Sequence, residues 1–532
     1  MINLYFLIIM PILIAVILYL STNKWVKLFS IILQVFMVAA AIINFIFVKI
    51  NGEVIEYIGG WEHYAGIALR GDLFACVMVM LTTILFLGML IFTYTTRYIN
   101  KLFLLLFVIL QSLIIGIFLS NDLFNIYVLI EVGTIIVSIL IMFKKDSQAI
   151  YDGMVYLLVN IVAMIMFLFG IGFIYKIFGV LDMYRIQELM HLVESPRSLI
   201  LPYALLITPV ALKGALMPLF SWLPKAHGTP SAPSIVSAIL SGLYVKGGIY
   251  LFIRIQQMFS GVIDTSQYFL ILGFLTGTVG LFLALCQTDI KLILAYSTIS
   301  QIGLIMIGIN FNDPNAYWGG IYHIVNHAFF KSTLFLTAGL IIDTYHTRNI
   351  GEIRGVFRKM PVVSTISILA ILGVTGAPLF NGSISKYLIQ SGMQGTFYDY
   401  ALIFINLGTV VYFMKYITIF FGKDENHEGV VDKYSRSVIV VLGLACFVGG
   451  LYGQWFIKLL FNQAVDIDVI LYMKKSIVYF LTLVIGVIVY RRVVAHSKLL
   501  HRVREIELSF NNICFTIMIF FSVTTVYLMI IY

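Results

Sequence analysis

Charged residues are scarce in this sequence. They make up 11% of its 532 residues, whereas an average soluble protein has about 25%. Hydrophobic residues reach 61%, which excludes a soluble globular protein and predicts a multi-pass protein of the cell membrane. Lys and Arg outnumber Asp and Glu, 34 to 25, but no basic cluster carries interleaved aromatics, and most basic residues lie between apolar runs. We therefore expect no nucleic-acid partner.

Cysteine and nucleotide-binding motifs are also sparse. The four cysteines, Cys76, Cys286, Cys446 and Cys514, lie far apart and mostly within apolar runs, so no spacing suits a metal or an iron–sulfur cluster. The sequence has no phosphate loop, no GxGxxG between strand and helix, and no signature of a catalytic triad. We expect no bound cofactor, no metal and no catalytic chemistry on a soluble substrate in this chain.

Long apolar runs dominate what is present. Because a helix needs about 20 apolar residues to cross a bilayer, the sequence predicts about sixteen spans. Two of them are interrupted, one at Pro218 and Pro224 and the other at Gly376 and Pro378. Proline removes a backbone donor and breaks a helix, and broken backbone at membrane depth is tolerated only inside protein or against water. The interruptions thus predict functional helix breaks.

One acidic residue and several lysines fall within the predicted spans. Glu131 lies in IYVLIEVGTIIVSILIMF, where an ionised group costs roughly 2.5–3.5 kcal/mol on insertion scales. The lysines within spans are Lys213, Lys246, Lys331, Lys386 and Lys415. Lys415, close to a span end, is expected to snorkel to the interface. Glu131 is too short to snorkel, so we expect it to pair with Lys213 and to set the proton affinity of that lysine.

Three histidines are candidates for proton transfer. His323 and His327 are spaced i, i+4 and share a helix face. They are either parts of a proton relay, satisfied core residues or, less simply, metal ligands. No acidic residue completes an HExxH zinc pattern, whereas imidazole titrates near neutral pH. His227 follows the first interruption and is either a proton-entry group or a loop contact.

Several segments together resemble a known family. PLFSWLPKAHGTPSAPSIVSAILSGLYVKGGIYLFIRI, CQTDIKLILAYSTISQIGLIMIGI, HIVNHAFFKSTLFLTAGLI and GAPLFNGSISKYLI occur in this order. They are similar to the proton-translocating antiporter-like family, whose members are subunits of Mrp cation/proton antiporters, of respiratory complex I (its L, M and N subunits) and of membrane-bound hydrogenases. The resemblance covers about residues 55 to 425. LFNIYVLIEVGTIIVSILI and Lys386 most resemble the Mrp D-type subunit.

The resemblance implies a fold and a set of site residues. The fold would be all-α, with about 14 core transmembrane helices that include two inverted five-helix repeats, each with one broken helix. The family positions for buried titratable groups match Glu131, Lys213, Lys246, His323 with His327, and Lys386. Two extra spans after about residue 474 depart from the family pattern. The expected regions are N-terminal helices in 1–100, a first repeat in 101–256, a second repeat in 265–421 and C-terminal helices in 422–532.

The resemblance also implies a function. We expect a proton-translocating subunit of an Mrp-type Na+/proton antiporter complex, with protons, monovalent cations, the lipid bilayer and other membrane subunits as partners. One alternative is a proton-pumping subunit of a complex I-like NADH:quinone oxidoreductase or hydrogenase, whose electron transfer occurs in other subunits. Another is a stand-alone or two-component transporter for a different solute, such as inorganic carbon.

Overall fold

The protein is built almost entirely from membrane-spanning helices. The computed structural model describes residues 1–22, 25–61, 66–96, 98–228, 232–423, 429, 431–497, 500, 503 and 509–532. Within these residues, 13 helices are long and apolar enough to cross a membrane, and two shorter apolar helices cover Leu4–Leu20 and Pro361–Thr375. With the 17-residue helix Arg197–Lys213, these elements account for the spans that the sequence predicts. An all-α, multi-pass membrane fold is confirmed.

The chain forms two compact units. The first unit comprises Met1–Ala232, Tyr244–Asp264 and Ser509–Tyr532. Its helices are α1 (Leu4–Leu20), α2 (Val26–Asn51), α3 (Leu73–Phe92), α4 (Lys101–Leu119), α5 (Leu123–Ile141), α6 (Ser147–Phe178), α7 (Met183–Leu189), α8 (Arg197–Lys213), α9 (Trp222–Gly228), α11 (Val245–Met258) and α22 (Phe510–Ile531). A two-stranded antiparallel hairpin, β1 (Val54–Tyr57) and β2 (Ala68–Gly71), pairs Val54 with Gly71.

The second unit comprises Pro233–Leu243 and Thr265–Leu508. Its helices are α10 (Ser234–Ile239), α12 (Ser266–Cys286), α13 (Ile290–Asn310), α14 (Pro314–Tyr345), α15 (Val356–Lys359), α16 (Pro361–Thr375), α17 (Asn381–Gly392), α18 (Phe397–Ile417), α19 (Lys433–Leu451), α20 (Gly453–Phe461) and α21 (Val469–Arg492). Along the chain, a π-helical segment, Leu240–Tyr244, joins α10 to α11.

Many of the few acidic residues start helices. The side chain of an aspartate accepts a backbone N–H in the first turn of each of seven helices. These residues are Asp72, Asp122, Asp182, Asp289, Asp313, Asp432 and Asp468. The first amides of a helix have no partner within the helix, and a capping side chain contributes about 0.5–2 kcal/mol. Seven of the 25 acidic residues thus cap helices, and six of these helices are long and apolar enough to span the membrane.

The two predicted helix breaks are present, with one correction. The first separates α8, which ends at Lys213, from α9, which begins at Trp222. Pro218 lies in this break, but Pro224 does not. It is the third residue of α9, where the missing N–H costs no hydrogen bond. The carbonyl of Leu212, near the end of α8, accepts from the backbone N–H of Ala215 (2.9 Å) and also from the indole Nε1 of Trp222 (2.6 Å), so Trp222 fastens α9 to the end of α8.

The second break separates α16 from α17. Gly376 ends α16 with φ of 80°, a left-handed conformation that glycine adopts without strain. Pro378 lies in the short link that follows. Across the break, a Cβ on Gly382 would lie 1.9 Å from the carbonyl oxygen of Gly373. The glycines thus allow the two half-helices to approach closely at the break.

Glycines also bring α12 and α13 together. A Cβ on Gly303 of α13 would lie 2.2 Å from the backbone nitrogen of Gly277 and 2.5 Å from the carbonyl oxygen of Gly273. Small residues at such crossings let membrane helices approach backbone to backbone, and the close packing then stabilises the pair. The α12–α13 pair is consequently a rigid part of the second unit.

We predict that Gly303→Ala destabilises the protein by about 1–3 kcal/mol, because the added methyl group meets backbone atoms that cannot move without separating the helices. Gly172→Ala is the matched control. Gly172 is also inside a helix, but a Cβ there meets nothing within 4 Å, so this change should be neutral or stabilise by up to about 1 kcal/mol. Thermal unfolding of the purified variants in detergent measures the change in stability that each substitution causes. Equal melting temperatures would contradict the close-packing interpretation.

Candidate functional site: buried lysines in both units

Lys213 is the best-defined buried cation of the first unit. It is the last residue of α8 and is 4% exposed. Its Nζ donates to Oγ1 of Thr134 on α5 (2.6 Å), and the hydroxyl of Thr134 in turn donates to the carbonyl of Ile130 (2.8 Å). The ammonium also lies over the rings of Tyr156 (6.0 Å) and Tyr244 (5.6 Å), a favourable position for a cation. Its immediate partners are thus neutral groups.

The expected direct pair of Glu131 with Lys213 is not formed. Within the described residues, no ion pair joins the two side chains, and the buried Oε1 of Glu131 accepts no hydrogen bond. Glu131 precedes Thr134 by one turn of α5, and the charges of Glu131 and Lys213 still interact electrostatically. The pairing prediction is wrong in its geometry, because the shorter path from α8 leads to the hydroxyl of Thr134 and not to the half-buried carboxylate.

Lys246 is buried on the next helix of the first unit. It is 1% exposed and lies in the first turn of α11, directly after the π-helical segment. π-Helical turns within α-helices are frequent at functional sites. Gly248, two residues further, lies against the end of α8, because a Cβ there would be 2.4 Å from the nitrogen of Gly214 and 2.5 Å from the carbonyl carbon of Lys213. The backbone carrying Lys246 is therefore in contact with the backbone at Lys213.

In the second unit, His323 links three helices. Its Nδ1 is 2.8 Å from Oγ of Ser385 on α17, and its Nε2 is 3.2 Å from Oε1 of Gln301 on α13. His327, one turn along α14, has its ring centroid 6.3 Å from that of His323, and both residues are fully buried. The prediction that the two rings lie on one helix face holds in the structure, and His323 contacts neutral amide and hydroxyl partners.

Lys331 lies two turns from His323 on the same helix. Its Nζ donates to the carbonyl of Leu294 (3.0 Å) and to the hydroxyl of Ser297. The buried phenol of Tyr412 on α18 lies beside Ser297 and Gln301. Polar side chains therefore lie along α13 from its contact with Lys331 to its contact with His323.

Lys386 lies on α17, just past the second helix break. Its Nζ donates to the carbonyl of Val374 (2.8 Å) and to Oδ1 of Asn406 on α18 (2.7 Å). Val374 is one residue from the end of α16, so its carbonyl has no partner within that helix. The side chain also lines a cavity of about 60 Å3 that continues along α17, α18 and α21. The break thus supplies both an acceptor for the ammonium and space beside it.

The remaining predicted positions have simpler surroundings. His227 is fully buried in α9. Lys415, expected to snorkel, donates to the carbonyls of Leu285 (3.0 Å) and Gln287 at the end of α12, where a cation is favoured by the unpaired carbonyls. It acts as a helix cap, and its snorkelling to the interface stays a prediction.

Sequence analysis missed the neutral partners of the charged groups. They are Thr134, Tyr156, Tyr244, Gln301, Ser385 and Asn406. A weak signal existed for one of them, since Thr134 follows Glu131 by three residues, a spacing that places both side chains on one face of a helix. The others lie on helices distant in sequence, and no local pattern identifies them.

We predict that Thr134→Val destabilises the protein by about 1–3 kcal/mol, because it leaves the buried ammonium of Lys213 without its acceptor. Thr365→Val is the control. Thr365 also donates to the carbonyl four residues before it, but it is exposed and accepts from no lysine within the described residues. That change should stay within about 0.5 kcal/mol of wild type. Thermal unfolding of both variants measures these changes in stability. An unchanged melting temperature in the Thr134→Val variant would show that the hydroxyl does not stabilise Lys213.

Known proteins resemble this chain in sequence and in fold. The chain is 30% identical to the D-type Na(+)/H(+) antiporter subunit of Alkalihalophilus pseudofirmus over 415 residues, which is 75% of this chain and 83% of that protein. Among solved structures it resembles a chain of the membrane-bound sulfane sulfur reductase, an archaeal respiratory membrane complex (TM-score 0.80, 25% identity, covering 91% of this chain and 99% of that one). It also resembles a chain of the Mrp complex from Dietzia sp. DQ12-45-1b (TM-score 0.80, 22% identity, covering 90% and 99%).

The family described as "NADH:quinone oxidoreductase/Mrp antiporter, TM" matches residues 120–411. This range is more than half of the chain, and it contains Lys213, Lys246, Lys331 and Lys386 together with the partners described above. The chain therefore belongs to the family of NADH:quinone oxidoreductase and Mrp antiporter membrane subunits.

Proposed function

We propose that this protein is the proton-translocating subunit of an Mrp-type monovalent cation (Na+)/proton antiporter complex in the cell membrane. The observation that carries the proposal is that both units bury a lysine whose hydrogen-bond acceptors are neutral. Lys213 donates to Thr134, and Lys386 donates to Asn406 and to a backbone carbonyl. A purely structural buried cation would be expected to have a carboxylate in direct contact, because an unpaired charge is costly at membrane depth.

Neutral acceptors suit a group that changes its protonation state. A hydroxyl or amide oxygen accepts from an ammonium, and the hydroxyl of Thr134 can rotate to donate to a neutral amine in place of the carbonyl of Ile130. A carboxylate in contact would hold the proton on the lysine and oppose its release. Glu131, close enough to act through its field but not in contact, can bias the proton on Lys213 without trapping it.

In this proposal the proton route uses titratable groups of both units. Glu131, Lys213 and Lys246 serve in the first unit, and His323, His327, Lys331 and Lys386 serve in the second. Within the second unit, the contacts of His323 with Gln301 and Ser385 support a relay, since Ser385 adjoins Lys386. His227 is assigned to proton entry.

We further propose that residues 101–256 and 265–421 are two inverted repeats, between N-terminal helices in 1–100 and C-terminal helices in 422–532. Each proposed repeat contains one broken helix, α8–α9 or α16–α17. In each, the aspartate that caps the second helix also forms an isolated β-bridge with a later loop, Asp122 with Asp182 and Asp289 with Asn349. Matching bridges at matching places in the element order support an internal duplication.

A second candidate is a proton-pumping subunit of a respiratory complex. It is favoured by the likeness to the archaeal respiratory membrane complex, which equals the likeness to the Mrp complex in TM-score. The genes that neighbour this one discriminate the two candidates. Small antiporter subunits would support the first, and subunits with iron–sulfur or quinone sites would support the second.

We predict that Lys213→Ala and Lys386→Ala each lower sodium-dependent proton transport by at least about tenfold, because a route through these amines loses a proton-transfer group. The measurement is the decay of a pH gradient in vesicles that contain the assembled complex, on addition of sodium. Lys176→Ala is the control, since Lys176 is an exposed lysine in the last turn of α6. This variant should transport protons at the wild-type rate. Wild-type rates in both buried-lysine variants, with the complex assembled, would refute the proposed function.

A further inference from the structure

Helix α21, which contains one of the two spans that sequence analysis placed outside the family pattern, carries a polar stripe on an apolar surface. Most of its side chains face away from the rest of the second unit, with Met473 62% and Ile477 61% exposed. One face is different, because it lines the cavity beside Lys386. Its residues are Tyr472, Lys475, Ser476, Tyr479 and Thr482. Their spacing of three and four residues places them in one row along the helix.

The stripe docks on the second helix break. The hydroxyl of Tyr472 accepts from the backbone nitrogen of Leu379 (3.2 Å) and contacts the hydroxyl of Ser383. Two turns further, the hydroxyl of Tyr479 lies 3.0 Å from Oγ1 of Thr375, the last residue of α16. α21 thus binds polar groups that the break exposes, on both sides of Gly376 and Pro378.

A glycine keeps α21 close to α18 at its other end. A Cβ on Gly486 would lie 2.8 Å from Cγ1 of Val410, and Gly486 is one of the two buried residues of the helix. The tyrosines and this contact hold the helix in a defined rotation. The side chain of Lys475 is therefore directed toward the cavity and not toward lipid.

Lys475 lacks the partner that such a position normally requires. Its Nζ is inaccessible to solvent and makes no hydrogen bond within the described residues. It lies over the ring of Tyr387 at 5.3 Å from the centroid. The cavity that it lines with Lys386 measures about 60 Å3, and at roughly 10–15 Å3 per water such a volume holds about four to six waters. Water in the cavity would connect the two amines.

We propose that Lys475 is a proton-transfer group that exchanges protons with Lys386 through this cavity, so that α21 belongs to the proton route. This inference rests on the proposed function of Lys386. In one direction, Lys386 releases a proton to cavity water, Lys475 takes a proton from that water, and Lys386 is left as a neutral amine while Lys475 becomes an ammonium. The transfer conserves charge and needs no other reactant.

Other titratable groups also face Lys475. They are Lys386 and Tyr387 on α17, Asp399 on α18, and Tyr472 and Tyr479 on α21 itself. Asp399 interacts electrostatically with Lys475 but accepts from the amide of Gln390 (2.5 Å). The tyrosines are engaged with the helix break or with backbone, as Tyr387 is with the amide of Asp468 (3.1 Å). Lys475 is thus the amine of this face that is placed to exchange protons with Lys386.

The test uses proton transport by the assembled complex in vesicles, measured from pH 6 to pH 9 or about that range. Lys475→Met keeps the length of the side chain without a titratable group, and it should lower the rate by about tenfold. Lys475→Arg keeps a positive charge that does not release its proton, and it should be equally slow. Lys475→His should restore part of the rate with a pH profile displaced toward the titration range of imidazole.

The adjacent residue supplies the matched control. Lys474 is exposed and does not line the cavity, so the Lys474→Met variant should transport protons normally. Wild-type rate and pH profile in Lys475→Met would overturn the inference, and so would full activity in Lys475→Arg, which would assign only a fixed charge to this position. Lys386→Ala, measured in parallel, distinguishes failure of the proposed function from failure of this inference about Lys475. If Lys386→Ala transports normally, Lys386 is not on the proton route and this inference fails with it, and the proposed function itself fails if Lys213→Ala also transports normally. Loss of transport in Lys386→Ala with normal transport in Lys475→Met rejects only the role of Lys475.

Discussion

The structure depends on how an ammonium group is held within a membrane. A buried charge without a counter-charge is costly, yet Lys213, Lys331 and Lys386 each have neutral hydrogen-bond acceptors. Each amine therefore needs several oxygen atoms brought to it from other helices. Close helix packing follows from this requirement, because hydroxyl, amide and carbonyl oxygens reach a lysine only over short distances.

The helix breaks meet part of the same requirement. A continuous helix uses its carbonyls internally, whereas a helix that ends within the membrane leaves its last carbonyls unpaired. At the second break, Lys386 takes the carbonyl of Val374 and the tyrosines of α21 take polar groups at Thr375 and Leu379. At the first break, Trp222 takes the carbonyl of Leu212. The breaks are thus stabilised by side chains and also make one of the lysine sites.

The position of Glu131 illustrates the difference between pairing and proximity. Sequence alone places one carboxylate and one lysine in separate spans and suggests an ion pair. In the structure, Lys213 donates its hydrogen bond to Thr134 and not to Glu131. For a structural ion pair this would be a poor arrangement, but for a proton carrier it is a suitable one, because the proton is influenced by the carboxylate and is not held by it.

The sequence by itself determined that the protein spans the membrane many times, which spans are broken, and that Lys213, Lys246, Lys331 and Lys386 are buried. These properties depend on the composition and order of neighbouring residues, such as the apolar run around Glu131 or the Gly376–Pro378 interruption. They can be predicted from short stretches of sequence because polar groups and charges are costly within a bilayer. Only the tertiary structure decided that Pro224 lies inside a helix, that Lys415 caps α12, and that Lys475 shares a cavity with Lys386. Each of these depends on which helices pack together and at what rotation. Packing of that kind is set by side chains from distant segments, such as Gly486 against Val410, and no local pattern records it.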